Sequence, residues 1–166
     1  MIVKYDGKYL EIREADGRDM MWPNFEGRQT KFTNGKRFFT IRLPEEVAKD
    51  LEDDGWKIKW KPIEKDSEEL EPRLQINVNF NYKPLQIFML ANNTKTKLDE
   101  ESVREIDYAE IIEFEGIVKA FRKPDLFDGV SASLDTLWVT IRQSDLYEKY
   151  GQYRDSGNGT YYKIEE

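Results

Sequence analysis

Short runs that alternate apolar and polar residues constrain this chain's fold more than any other feature. Successive side chains of a strand point to opposite faces, so alternation with period two marks a half-exposed sheet. Residues 56–63 (WKIKWKPI) and 74–81 (LQINVNFN) alternate in this way. Residues 37–43 (RFFTIRL), 84–91 (PLQIFMLA), 110–121 and 131–142 read as further strands. Residues 1–15 read as a hairpin about Asp6-Gly7, a strong turn pair. Segments 74–81 and 84–91 read as a second hairpin, closed by residues 81–83. Residues 16–36 form a polar loop, with Pro23, Gly27 and Asn34-Gly35 as its turn signals.

Helices are few and short. Residues 44–54 (PEEVAKDLEDD) carry Pro44 at an early position, acids in the first turn and Gly55 as a stop. Residues 98–109 read as a second helix with Asp99 as N-cap, and residues 144–150 as a closing one. Residues 64–72 read as an exposed acidic loop. Short strands, short helices and connections too brief for parallel crossovers predict a barrel or a strongly curved antiparallel sheet. One domain over residues 1–150 is expected, with 151–166 as a C-terminal tail, acidic at its end.

The chain has no histidine and no cysteine. Ser-His-Asp and Cys-His mechanisms, thiolate or imidazole metal sites and disulfides are therefore excluded. Carboxylate pairs such as Asp53-Asp54 and Glu68-Glu69 fall in helices and loops rather than converging from strands, as a two-metal nuclease needs. A non-enzymatic protein without metal or cofactor is expected. The N-terminal residues lack the apolar core of a signal peptide, and no apolar run approaches the ~20 residues that span a bilayer, so a cytoplasmic location is expected.

Net charge is −7, which by itself argues against nucleic acid. The charge is segregated, however. Residues 28–42, 56–61 and 73–97 hold Arg28, Lys31, Lys36, Arg37, Lys57, Lys59, Lys61, Arg73 and others, and no acid. If the basic strands are neighbours, they form a positive face on an acidic body. Fields are local within ~10 Å at physiological salt, so that face can attract phosphate.

Aromatics make up 13% of the chain. Single strands are bound by aromatic platforms under the bases and cations along the backbone. Strand parity puts Trp56 and Trp60 on the face opposite Lys57, Lys59 and Lys61, which favours the core for both tryptophans. Phe80, Phe88, Phe114 and Trp138 are expected in the core as well. Phe25 and Phe32, in the loop beside glycines and cations, are the candidates for base stacking. Arg28, Lys31, Lys36, Arg37, Lys57, Lys59 and Lys61 are the candidates for phosphate contact.

The ordered set Asn24-Phe25-x-Gly27, Phe32, Gly35-x-Arg37-x-Phe39 and Asp54-Gly55-Trp56-x-Ile58-x-Trp60 resembles the single-stranded-DNA-binding proteins of tailed phages. So do Asp107-Tyr108-Ala109-Glu110-Ile111 and Leu134-x-x-Leu137-Trp138-Val139-Thr140-Ile141 further along. The resemblance covers about residues 24–150. It implies a mainly β, OB-fold-like barrel that coats single-stranded DNA during replication or recombination, with Asn24 among the DNA-binding residues. The sequence departs from the family at Glu26 and Gln29, where lysines are expected. The ending Tyr161-Tyr162 to Glu165-Glu166 is similar to tails that recruit phage or host replication proteins, but it is short and reads first as an ordinary charged terminus. A homo-oligomer is left open. The alternative is an acidic phage module that binds a host defence or replication protein, as a nucleic-acid mimic would.

Overall fold

The computed structural model describes residues 1–142 and the strand backbones at 153–155 and 161–163. The 144–150 helix lies outside the described residues. The chain is mainly β with short helices, as expected. β1 (Ile2–Tyr5) and β2 (Tyr9–Asp16) form the first hairpin. Its turn is held by Asp6, whose carboxylate accepts the N–H of Lys8 at 2.9 Å and of Tyr9 at 2.7 Å. Next come β3 (Met20–Asn24), β4 (Phe38–Arg42), α1 (Glu45–Asp53), β5 (Ile58–Pro62) and β6 (Leu70–Asn77). β7 (Gln86–Ala91) and β8 (Thr94–Leu98) pair in a tight hairpin. A 3₁₀ turn at Ser102–Tyr108 leads to β9 (Ile111–Phe121) and β10 (Ser131–Ile141), the long central hairpin. β11 (Tyr153–Asp155) and β12 (Tyr161–Lys163) pair with each other, so the expected tail carries a short antiparallel pair.

Ten strands form one sheet, along the path β1-β2-β9-β10-β6-β4-β3, with β5 added to β6 and the β7–β8 hairpin to β10. The sheet is open, not a closed barrel. It is also mixed rather than antiparallel, because β6 and β7 both run parallel to β10. The expected hairpin between them does not form. Turns at Tyr82 and Leu85, each donating to the carbonyl three residues back, displace the chain without reversing it. β7 therefore continues along the same edge of β10 that β6 has left.

Three further expectations need correction. The polar loop at 16–36 contains β3, whose Met20 and Asn24 are buried. The helix at 98–109 is a strand end followed by a 3₁₀ turn. Glu101, not Asp99, takes the N-cap position; Asp99 stands two residues earlier and accepts the N–H groups of Glu101 and Ser102. Alternation elsewhere is obeyed. Phe39, Ile41, Leu74, Ile76, Leu134, Leu137 and Val139 are buried; most of their neighbours are not, the exceptions being Thr40, which is covered on the cleft side, and Thr136, at the β10 register irregularity. Trp56 and Phe114 enter the core, and Trp56 donates to the Tyr5 hydroxyl at 3.0 Å. Trp60 and Phe80 are half-buried against it. Phe88 and Trp138 stay half-exposed on the outer face, contrary to expectation.

Candidate nucleic-acid interface

β4, β6 and β5 are neighbours, so the basic strands do share a face. Pleating turns Thr40, Arg73, Gln75, Lys59 and Lys61 outward together. This outer face is the floor of a cleft of about 590 Å³. Its wall is the end of β3 and the loop that follows, from which Trp22, Arg28 and Phe32 project.

The wall is built by local chemistry. Asn24 is 3% exposed, and its amide ties both ends of the loop. Nδ2 donates to the carbonyls of Arg28 (3.1 Å) and Lys36 (3.0 Å), and Oδ1 accepts the Arg28 N–H at 2.9 Å. Gly27 sits at φ +75°, a left-handed conformation open to glycine. A Cβ there would stand 3.0 Å from the Gly35 carbonyl oxygen, so the two limbs of the loop approach closely. Asp107 anchors the loop from outside, accepting the N–H of Phe25 and of Glu26, each at 2.9 Å. Burial pushes its carboxyl above the usual range, against the pull of those two hydrogen bonds. Next to it, the Tyr108 hydroxyl donates to Glu26 at 2.8 Å.

Trp22 and Phe32 are 62% and 88% exposed, unusual for large apolar side chains on a folded surface. Trp22 adopts φ +50°, a strained conformation for a bulky residue, at an irregularity in the β3–β4 register. The Arg73 guanidinium lies 5.1 Å from its ring centre. Arg73 is in turn held by Glu71 at 2.8 Å. Among the described residues, Lys59 and Lys61 have no ion-pair partner. The cleft thus joins two exposed aromatic faces to four cations.

The structure sorts the candidates from sequence. Arg28, Phe32, Lys59 and Lys61 line the cleft, and Lys31 stands at its rim with Nζ 5.8 Å from the Phe32 ring. Phe25 does not: it is 0% exposed and stacks on Phe39 at 5.2 Å, so no base can reach it. The amide of Asn24 is consumed by the loop, which makes it a positioning residue. Arg37 donates to the carbonyls of Phe25 and Glu100, both at 2.9 Å, and covers the Phe80 ring at 4.9 Å. It braces the loop from behind. Lys36 lines a separate hollow with Asn79 and Phe80. Lys57 precedes β5 and stands over Phe127, away from the cleft. Trp22 and Arg73 were not among the stacking and phosphate-contact candidates, although Arg73 stands in a basic segment. The signals were there: Trp22 precedes a proline in a polar stretch, and Arg73 shares the parity of Gln75.

A family model for the phage ssDNA-binding domain matches residues 4–164. The chain belongs to the phage single-stranded-DNA-binding family. The match takes in most of the first hairpin and the β11–β12 pair as well as the cleft. No curated protein matches the sequence. Among solved structures, the single-stranded DNA-binding protein from bacteriophage Enc34, C-terminal truncation, is similar at 10% identity and a TM-score of 0.46. That alignment covers 85% of this chain and 94% of the other. Among the described residues, no helix is long and apolar enough to cross a membrane.

Proposed function

We propose that this phage single-stranded-DNA-binding protein seats the strand in the Trp22–Phe32 cleft and coats it, without strong sequence preference, during phage replication or recombination. Trp22 and Phe32 stack bases, while Arg28, Lys59, Lys61 and Arg73 meet the phosphates. The supporting observation is the coincidence of exposed aromatics and unpaired lysines on one concave surface. Every base has a π-face, so stacking tolerates any sequence, at ~1–3 kcal/mol per base. The protein acts as a binder rather than an enzyme, in the cytoplasm of the infected cell.

Titration with oligo(dT) at two salt concentrations, followed by tryptophan fluorescence, is the direct test. Quenching is expected, with affinity falling steeply as salt rises. Absence of binding at low salt, or binding indifferent to salt, would refute the assignment. A labelled strand incubated with the protein and Mg²⁺ should stay intact.

A further inference from the structure

The outer face that floors the cleft continues beyond β6. Asn77, two residues on from Gln75, donates to Ser131 Oγ on β10 at 3.1 Å. Asp135, further along β10, accepts from the Tyr82 hydroxyl at 2.9 Å. Past the register irregularity between Leu134 and Thr136, Leu137 and Val139 are buried, so Trp138 and Thr140 face outward.

There Trp138 stacks on Phe88 of β7, with ring centres 6.3 Å apart and planes 15° from parallel. Lys95 of β8 brings Nζ to 4.4 Å from the centre of the Phe88 ring. Lys97 lies directly opposite Phe88 in the hairpin, and both lysines are exposed. No residue from 73 to 98 is acidic. Of the nearby carboxylates, Asp135 accepts from the Tyr82 and Thr136 hydroxyls and Glu115, opposite Trp138, accepts the Glu14 N–H at 3.2 Å, while Glu113, opposite Thr140, stays exposed at the margin of this patch. Lysines on an edge strand also guard against edge-to-edge pairing. That guard does not require a stacked aromatic pair beneath the lysines, on the face continuous with the cleft.

We infer that the β7–β8 hairpin is a second stacking platform for the same single strand, with bases on Phe88 and Trp138 and phosphates on Lys95 and Lys97. The inference rests on the cleft assignment proposed above. A short strand fills the cleft alone, whereas a longer one crosses the Asn77–Ser131 junction and reaches the hairpin.

The test compares oligo(dT) of about 4 and about 16 nucleotides, the range of site sizes for folds of this kind. Two variants are used: the double substitution Lys95→Ala with Lys97→Ala, and Phe88→Leu. Both lysines are exposed, so the double variant should fold normally. On the long strand its salt slope should fall by about 1.4, or ~0.7 for each single-strand phosphate contact. Phe88→Leu should weaken the long strand by roughly 5- to 150-fold. Neither variant should change binding of the short strand. Wild-type affinity on the long strand for both variants overturns the platform and leaves the cleft intact. Equal losses on short and long strands also overturn it as a separate site. A wild-type protein that binds neither length overturns the cleft assignment itself.

Discussion

Replacing Trp22 with glycine should weaken DNA binding strongly while leaving the fold almost as stable. Three terms bear on stability. Roughly a third of the side chain is covered, which at ~25 cal/mol per Å² for an aromatic of this size amounts to about 2 kcal/mol lost. The Arg73 contact adds up to ~1 kcal/mol more at an exposed site. Against this, φ +50° in a bulky residue stores about 1–3 kcal/mol of strain, which glycine relieves. Pro23 adds to that strain, since a residue before proline is pushed toward extended conformations. Gains and losses offset each other to within about 2 kcal/mol. Binding has no such compensation. One stacked base lost is ~1–3 kcal/mol, or roughly 5- to 150-fold in Kd. Thermal or urea unfolding measures the first effect, and anisotropy of a labelled oligo(dT) the second. Wild-type affinity in a folded Trp22→Gly protein would refute the role assigned to this side chain. A collapse of stability would refute the claim that its conformation is held at a cost.

Other outcomes follow from the same geometry. Phe25→Ala should destabilise by about 3–5 kcal/mol, because it empties a fully buried site against Phe39. Loss of DNA affinity without a fall in unfolding midpoint would contradict that. Lys59→Ala with Lys61→Ala should lower the salt slope by about 1.4, and Lys57→Ala should leave it unchanged; measuring log Kd against log salt for both separates them. Asp107→Asn removes a group that titrates above the ordinary carboxylate range. Between the ordinary value and that raised one, the folded chain binds more protons than the unfolded chain, so this group makes stability fall as pH rises through the window. The exposed Asp6, Asp16 and Asp99, all shifted down, act in the opposite direction at lower pH. Urea unfolding across acidic pH should therefore show the falling contribution in wild type and lack it in Asp107→Asn. Identical profiles would exclude Asp107 as its source.

Much of the fold was legible because alternation is a local signal. The pleat of residues 37–43, 56–63 and 74–81 announces a half-exposed face, and Asp6-Gly7 announces a hairpin through its own side-chain hydrogen bonds. The failures share a cause. Hairpin pairing of residues 74–81 with 84–91 was expected from short separation, but pairing partners are chosen across the sheet, and both segments belong to β10. Parity also says that two residues share a face without saying what covers it. Phe88 and Trp138 alternate as core residues do, yet their side of β7 and β10 is the outer one.

The family and the gathering of cations into acid-free segments were legible from the residues alone. Three acid-free basic segments and an ordered family motif suffice for that. Which aromatics stand exposed beside the cations is set by tertiary contacts. Residues 25–36 have no periodicity, so their burial is set by partners far away in the chain. Phe25 turns inward because Phe39 receives its ring and Asp107, 82 residues on, holds its N–H. Trp22 turns outward because the backbone is bent there, and Arg73 is waiting for its ring on a strand fifty residues later.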